Sequence, residues 1–376
     1  ALNNESYTST IDDDERFFLS AFDNGLIGFI YHALQKDHIS EKLYQHMTKV
    51  YYAYIASDIK HIEMIAKLKA LLNTHHIDHI FLKGSHLKFI YPETYMRAMG
   101  DIDILIKDSE MNRVYEIFND DNIPLKAKSI AHDLYLTDDD ITIEIHPALY
   151  KKTDLEYQHH IFDPWSHADT YEQFTYILDP TYELVYLLYH LSKHIKTSGV
   201  GLRSLLDIGL FMKEKEKNID TAKLNQLLNQ VHLKTFFDVV ITLNQHYFGL
   251  MKDFENHGNS LGEKRLDNLI SFFTSSGIHG KGHTFNPFES RMATHQNQKK
   301  SRLSFYLGLF FPGYETMKGI YSSLNKWPIL LPFYWLHRLF KKLFSSFKYS
   351  LRQTKRSLVK KKTIDEIKSI MQDLGL

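Results

Sequence analysis

The feature that constrains the fold most is an alternating stretch, GDIDILI, at residues 100–106. Side chains of an extended strand alternate between its two faces, so Asp101 and Asp103 project to one side and the intervening isoleucines to the other. Two carboxylates on one side of an otherwise apolar strand cost stability unless positive charge lies close by. Divalent ions with a preference for oxygen ligands, such as Mg²⁺ or Mn²⁺, are a common source of that charge. The stretch therefore predicts a strand that carries a metal site.

A second motif lies upstream, where an apolar run ends in Lys83-Gly84-Ser85. The pattern predicts a strand over 77–82 and a helical turn over 86–91. Backbone N–H groups at a tight turn before a helix bind phosphate oxygens, which makes Gly84 and Ser85 candidate phosphate ligands. Lys83 and Arg97 are nearby cations that could meet phosphate charge. The alternative is a simple strand-to-helix turn with Lys83 in a structural ion pair.

Two more strands are predicted downstream, over 131–137 and 141–145, after a helix over 110–119. Three consecutive aspartates at 138–140 suit a hairpin turn between the two strands. Glu144 alternates with isoleucines, so it points away from the apolar face and is a candidate third metal ligand. An ordinary exposed strand glutamate is the alternative. Residues 76–178 are therefore predicted to form a core of helices around a mixed sheet.

Helical periodicity dominates on both sides of this core. Residues 1–75 are predicted to be a helical region, with a long helix that begins at an N-cap, Ser40, and stops near 73–74. Residues 179–336 are predicted to be a helical domain, with Thr181 as the cap of its first helix and further helices over 202–213 and 224–248. The polar residues 253–300, which contain several glycines, predict a long loop or flexible insertion.

Composition excludes several classes of protein. The chain has no cysteine, which rules out disulfide scaffolds, thiolate metal sites and cysteine nucleophiles and fits a reducing compartment. The first residues are polar and acidic, unlike a signal peptide. No run approaches the roughly 18 apolar residues expected of a membrane span. We therefore expect a cytoplasmic protein.

Charge is distributed unevenly along the chain. Residues 337–362 contain ten Lys or Arg and no Asp or Glu, which leaves 34 basic and 42 acidic residues in 1–336. Apolar residues interleave with these bases, so the tail, 337–376, is predicted to contain a basic amphipathic helix. It could dock on the acidic body or bind an anionic membrane surface through 337–362. Nucleic acid is a less favoured partner because the body that carries the candidate site is acidic.

The motifs together resemble a known family. Gly84-Ser85, Asp101 and Asp103, and then Glu144 resemble the nucleotidyltransferase fold of the DNA polymerase beta superfamily. More narrowly, the chain resembles the bacterial uncharacterised nucleotidyltransferase family over roughly 80–340, including the aromatic, proline-rich segment 311–336. The motifs that carry this narrower resemblance are Leu82-Lys83-Gly84, Tyr91, Arg97, Gly100-Asp101-Ile102-Asp103, Ile143-Glu144-Ile145-His146, HLSKH at 190–194 and GLRSLLD at 201–207.

The resemblance implies an α+β protein with a minimal nucleotidyltransferase core and helical additions. It implies Mg²⁺-dependent (or Mn²⁺-dependent) transfer of a nucleoside monophosphate from a nucleoside triphosphate to a hydroxyl acceptor. Asp101 and Asp103 would bind both metal ions, Glu144 would complete the second site, and Gly84-Ser85 would hold the β- and γ-phosphates. We expect the acceptor to be a small molecule, a sugar or a protein side chain. A non-catalytic nucleotide sensor or partner-binding module on the same fold is the alternative.

Further polar residues are candidates for the substrate cleft. His190 and His194 lie four residues apart on one helix face, a spacing that can bind zinc, but no third ligand is evident in the sequence. His146 follows Glu144 closely and could orient that carboxylate or contact the nucleotide. The complete set of candidate cleft residues is His146, His190, His194, Arg203 and Asp207.

Overall fold

A seven-stranded mixed sheet is the central element of the fold. The structure is a computed structural model, and it describes residues 11–34, 39–129, 132–150, 163–254, 261–278, 286–345 and 361–376. The strands are β1 (His79–Leu82), β2 (Asp101–Ile106), β3 (Leu125–Lys128), β4 (Asp133–Leu136), β5 (Thr142–His146), β6 (Ala168–Glu172) and β7 (Thr175–Leu178). They lie in the order β3-β4-β5-β2-β1-β7-β6.

Helices occur before, between and after the strands along the chain. Those before β6 are α1 (Asp14–Asp23), α2 (Ile27–Ile30), α3 (Glu41–Thr74), α4 (Gly84–Leu87) and α5 (Met111–Asp120). Those after β7 are α6 (Pro180–Thr197), α7 (Leu202–Lys215), α8 (Thr221–Gln230), α9 (Lys234–Leu243), α10 (Glu263–Ser276), α11 (Pro287–Asn297), α12 (Arg302–Phe310), α13 (Tyr314–Ile320), α14 (Leu331–Ser345) and α15 (Lys361–Asp373). The prediction of an α+β fold with a mixed sheet and flanking helices is confirmed.

The centre of the sheet places the acidic strand between two partners. Strand β2 pairs antiparallel with β1, so that Leu82 lies opposite Asp103. It pairs parallel with β5, so that Asp103 lies beside Glu144. The predicted hairpin is also present, since β4 and β5 pair antiparallel. Strands β3, β6 and β7 were not predicted, and β7 extends the sheet by pairing parallel with β1.

The two faces of β2 have different environments. Ile102, Ile104 and Ile106 are fully buried in a cluster with Leu68 of α3 and Phe118 of α5. Burying an isoleucine side chain stabilises a fold by roughly 1.5–3 kcal/mol, so these residues anchor the strand firmly. The opposite face carries the two aspartates. The alternation in the sequence therefore fixes which side of the sheet can hold the site.

One of the two helix caps predicted from the sequence is present in the structure, and the other is not. The side chain of Ser40 accepts a hydrogen bond from the backbone N–H of Leu43 (3.1 Å), which confirms it as the cap of α3. Thr181, by contrast, is not the cap of α6. The Asp179 carboxylate accepts from the N–H of Tyr182 (2.9 Å), and Pro180 takes the first helical position, where its missing N–H costs nothing.

Two predictions in the helical domain are wrong. The single helix expected over 224–248 is divided into α8, α9 and a π-helical turn, because His232 has a positive φ (54°) and interrupts it. The loop expected over 253–300 contains α10 and α11, with residues 255–260 and 279–285 outside the described range. Leu266, Leu269 and Phe273 recur at helical spacing in α10 and are buried, so packing overrides the polar composition.

The C-terminal part is helical as well. Helix α14 crosses the expected start of the tail at 337, while residues 346–360 lie outside the described range. Ile364, Ile367 and Met371 of α15 are buried in the main core. Among the helices of the described residues, none is both long and apolar enough to cross a membrane. The division of the chain at 75, 178 and 336 stays a prediction.

Candidate active site

A cleft of about 1150 Å³ opens on the face of the sheet that carries the acidic residues. Ligand-binding clefts in proteins typically measure roughly 300–1,000 Å³, so this cleft is large enough for a nucleotide. Every candidate residue except Ser85 lines it. Those residues are Lys83, Gly84, Arg97, Asp101, Asp103, Glu144, His146, His190, His194, Arg203 and Asp207.

Three carboxylates meet at the base of this cleft. Asp101 and Asp103 come from β2 and Glu144 from the neighbouring β5, and one oxygen of each lies within 4.8 Å of the others. Burial, followed by the negative charges of Asp103 and Glu144, raises the pKa of Asp101 to about 6. At Asp101, nearby positive charge therefore does not offset the effects of burial and of the neighbouring carboxylates. That donor set fits a hard divalent cation such as Mg²⁺ or Mn²⁺.

One carboxylate oxygen of Asp103 contacts both a lysine and a histidine side chain. The Lys83 ammonium donates to its Oδ1 at 2.6 Å, and His146 Nε2 lies 2.7 Å from the same oxygen. Burial alone would raise the pKa of Asp103, but Lys83 and His146 outweigh it and hold that pKa well below its usual range. The ionised form of Asp103 is therefore strongly favoured.

Lys83 occupies a strained backbone position. Its φ of 47° and ψ of −120° lie in a region that favours glycine, directly between β1 and α4. Such a conformation costs about 1–3 kcal/mol in a non-glycine residue and persists where the surroundings fix it. In this conformation the Lys83 side chain lies within the cleft, against Asp103.

The Gly84-Ser85 turn has two different roles in the packing. A Cβ atom on Gly84 would lie 2.7 Å from Arg97 Nη1 and 3.0 Å from Met99, so a larger residue here would force these side chains to shift. Ser85 is buried, and its hydroxyl accepts a hydrogen bond from the backbone N–H of Asp103 at 3.1 Å. Gly84 therefore faces the cleft, while the Ser85 side chain fixes the acidic strand.

Arg97 is held by a buried carboxylate. Its Nε and Nη2 each donate to Asp207, at 2.8 Å, and the Tyr91 hydroxyl donates to the same carboxylate at 2.7 Å. Burial would raise the pKa of Asp207, but Arg97, Arg203 and Tyr91 lower it overall. This network fixes the guanidinium at the wall of the cleft and offsets its charge.

The remaining candidates line the far wall. Arg203 donates through Nη1 to the Ala98 carbonyl, and in the described part of the chain its buried Nε has no hydrogen-bond partner. His190 and His194 contact each other through their Nε2 atoms at 2.9 Å. Burial, then the charge of Lys83, lowers the pKa of His190 well below its ordinary value. His190 is therefore neutral at physiological pH.

Sequence reasoning missed one polar neighbour of the carboxylates, His132. Its Nδ1 lies 3.5 Å from Glu144 Oε2, and its ring centre lies 5.3 Å from that of His146. A signal for it existed in the predicted hairpin. Asp133 pairs with Ile145 in the antiparallel register, and extending this register by one residue brings His132 opposite His146.

A mixed sheet with clustered carboxylates on adjacent strands, at the base of a nucleotide-sized cleft, is an arrangement suited to metal-dependent phosphoryl transfer. Over residues 12–249 the chain matches the family described as uncharacterised nucleotidyltransferase. The match covers more than half of the chain, and the protein belongs to this family. Membership supports a general nucleotidyl-transfer function.

The match includes the N-terminal helices, which lie before the start of the resemblance read from the motifs at about residue 80. It ends before the segment 311–336. No curated protein and no solved structure matches the chain significantly. Membership therefore supports nucleotidyl transfer in general and leaves the acceptor open.

Proposed function

We propose that the protein is a metal-dependent nucleotidyltransferase that moves a nucleoside monophosphate from a nucleoside triphosphate to a hydroxyl acceptor and releases pyrophosphate. The observation that carries this proposal is the convergence of Asp101, Asp103 and Glu144 within 4.8 Å at the base of the cleft. Family membership supports the reaction class independently. The bound Mg²⁺ or Mn²⁺ would neutralise charge on the phosphate oxygens.

The chain's own residues then divide into two groups. Asp101 and Asp103 would hold the metal ions, and Glu144 would complete the set and accept the proton of the acceptor hydroxyl. On the neighbouring turn, the backbone N–H groups at Gly84 and Ser85 would bind the β- and γ-phosphates. These roles are consistent with the cleft, which Gly84 and all three carboxylates line.

Two cations complete the proposed phosphate site. Lys83 lies against Asp103 and lines the cleft, where its ammonium group would contact a phosphate oxygen. Arg97 Nη1 is directed at Gly84, since the two approach so closely that a Cβ atom would clash. Asp207 would keep Arg97 in this orientation. His146, His190, His194 and Arg203 would contact the nucleotide or the acceptor from the remaining cleft wall.

The acceptor is proposed to be a small molecule, a sugar or a protein side chain. The excess of acidic residues in 1–336 disfavours a polynucleotide, whose backbone is itself negative. A cytoplasmic location stays a prediction from the cysteine-free composition.

Transfer of label from a nucleoside triphosphate tests the proposal. Purified protein is incubated with Mg²⁺, cell extract and each α-³²P-labelled nucleoside triphosphate in turn. We expect at least one of them to label an acceptor, and we expect the labelling to disappear in Asp103→Asn. Asp138→Asn, in the exposed hairpin turn, is the matched control and should retain it. Equal labelling with wild-type protein and Asp103→Asn would refute the proposal.

A non-catalytic nucleotide sensor on the same fold is the rival. It would bind a nucleoside triphosphate with Mg²⁺ and transfer no label under any of these conditions. The three clustered carboxylates favour the enzyme, because transfer through two metal ions uses the additional acidic group on β5.

We also propose that α14 and the turn before it bind an anionic membrane surface. Ile329, Phe333, Leu336 and Phe340 are strongly exposed and recur at helical spacing along α14 and the turn before it, with Ile329 83% exposed. We call these four residues the apolar face. No Asp or Glu occurs between Glu315 and Asp365, whereas Lys and Arg are frequent there. Apolar side chains next to such bases suit an interfacial helix on anionic lipid.

Co-sedimentation with vesicles tests this surface. Vesicles that contain phosphatidylserine should pull down the wild-type protein, and neutral vesicles should not. The double substitution Phe333→Ser and Phe340→Ser should abolish the effect. Phe89→Ser, which removes an equally exposed phenylalanine outside the apolar face, should leave it intact. Co-sedimentation that survives loss of both phenylalanines would contradict the proposal.

A further inference from the structure

We infer that His132, Glu144 and His146 form a binding site for a first-row transition-metal ion such as Zn²⁺ or Co²⁺. One ligand atom from each of these residues lies within 4.8 Å of the others. The set contains two imidazoles and one carboxylate, unlike the all-carboxylate set of Asp101, Asp103 and Glu144. All three residues line the cleft, so an ion could enter from solvent.

The distances from Glu144 to the two histidines are compatible with shared coordination of one ion. Glu144 Oε2 lies 3.5 Å from His132 Nδ1 and 3.4 Å from His146 Nε2. A good N–H···O hydrogen bond is shorter, about 2.7–3.2 Å. Metal–ligand bonds of about 2.0–2.2 Å at a tetrahedral angle place neighbouring ligand atoms roughly 3.3–3.6 Å apart. Both contacts to Glu144 therefore have the length of an edge of a coordination tetrahedron.

The sheet holds these ligands in place. Glu144 and His146 are two residues apart on β5, so their side chains project from the same face. His132 directly precedes β4, whose antiparallel register with β5 begins at Asp133 and Ile145. The hairpin therefore presents the two histidines side by side, with ring centres 5.3 Å apart. Ligands on paired strands need little rearrangement to receive an ion.

The ligand types determine which ions the site would prefer. Imidazole nitrogen suits zinc, cobalt, iron and copper, whereas Mg²⁺ and Ca²⁺ are bound mainly by oxygen. The ion would replace the proton through which His146 Nε2 interacts with Asp103 Oδ1, 2.7 Å away. Asp103 would then lie next to the ion, still paired with Lys83. The site is therefore expected to discriminate against Mg²⁺.

This inference adds to the proposed function. Only the role of the bound ion next to the nucleotide rests on that function. Glu144 belongs to both the carboxylate set and the histidine set. The second ion of the proposed transferase would accordingly be a transition metal held by nitrogen ligands, beside a Mg²⁺ ion held by Asp101 and Asp103. Metal binding by the histidines does not itself require that the protein transfer nucleotides.

Titration of the full-length, metal-free protein with Co²⁺ tests the inference, because low-coordinate Co²⁺ has strong visible absorption. We expect a band that saturates at one equivalent, persists in excess Mg²⁺ and weakens at least about tenfold in apparent affinity in His132→Ala and in His146→Ala. His75→Ala, in an exposed histidine away from the cleft, should bind as wild type does. Unchanged binding in His132→Ala would overturn the inference.

A second measurement needs no variant. X-ray absorption by the cobalt-loaded wild-type protein should show two imidazole ligands per ion, and a shell of oxygen alone would overturn the inference. Failure of the two proposals can be told apart. Histidine-dependent Co²⁺ binding without label transfer would leave the metal site and refute the transferase. Label transfer with Mg²⁺, without histidine-dependent Co²⁺ binding, would support the transferase and refute the metal site.

Discussion

The buried ion pair between Arg97 and Asp207 allows the sharpest prediction about stability. Both side chains are almost completely buried, and Asp207 accepts three hydrogen bonds, two from Arg97 and one from Tyr91. Asp207→Ala would leave a guanidinium and a phenol hydroxyl buried without this acceptor. Hydrogen bonds to a charged group contribute about 1.5–3 kcal/mol each, and removal of one partner of a buried pair costs about 3–5 kcal/mol in total. We expect a loss of that size in the free energy of unfolding.

Urea unfolding at pH 7, followed by far-UV circular dichroism, measures this loss. The matched control is Asp139→Ala, because Asp139 pairs with Lys60 at 3.5 Å while both side chains are more than half exposed (66% and 57%). Exposed pairs contribute only about 0–1 kcal/mol. If Asp207→Ala loses no more than the control, the argument from burial is wrong.

The same carboxylate predicts a pH dependence. The pKa of Asp207 is lowered in the folded protein, so its ionised form stabilises the fold above the unfolded pKa of about 3.9. That stabilisation is lost as the pH falls through the lower, folded pKa. The difference in unfolding free energy between wild type and Asp207→Asn should therefore be constant from pH 7 to 5 and should shrink below about pH 4. A difference that grows on acidification would contradict the sign.

Two more substitutions test long-range contacts. Lys88 is fully buried and pairs with Asp58, so Lys88→Met should destabilise the protein by about 3–5 kcal/mol. In the same urea assay, the double variant Lys88→Met and Asp58→Asn should recover part of that loss, because it no longer buries an unpaired charge. Asn24 donates to the Thr274 carbonyl at 2.9 Å and accepts from the Leu202 N–H at 2.7 Å. Asn24→Ala should therefore lower the free energy of unfolding by about 1–3 kcal/mol in thermal or urea unfolding. An unchanged free energy of unfolding would refute the role of Asn24 as a link between distant helices.

The elements that could be predicted are those specified locally. The alternation at 100–106 predicts β2 because every second residue is an isoleucine that can be buried on one face. A shift of the strand pairing by one residue would place the aspartates on that apolar face instead, so only one register is compatible with this sequence. Ser40 predicts the start of α3 because its hydroxyl bonds to a backbone N–H three residues away. The hairpin between β4 and β5 follows from the turn residues. Each of these depends on contacts within a few residues.

The missed elements depend on partners far away in the chain. Arg97 and Asp207 are separated by 110 residues, and no local pattern pairs them. Helix α10 has a polar composition, and its identity rests on Leu266, Leu269 and Phe273 finding a core to enter. Strand β7 is short and acquires its place by pairing with β1. Tertiary contacts decide such cases against local propensity.

The central claim is that three carboxylates bind a metal-bound nucleoside triphosphate, and calorimetry tests it most directly. Each nucleoside triphosphate is titrated with Mg²⁺ into wild-type protein, Asp101→Asn and Asp103→Asn. We predict saturable binding of at least one nucleotide to the wild type, and loss of that binding in both variants and after removal of Mg²⁺ with a chelator. Binding that is absent in the wild type, or unchanged in both variants, would contradict the account.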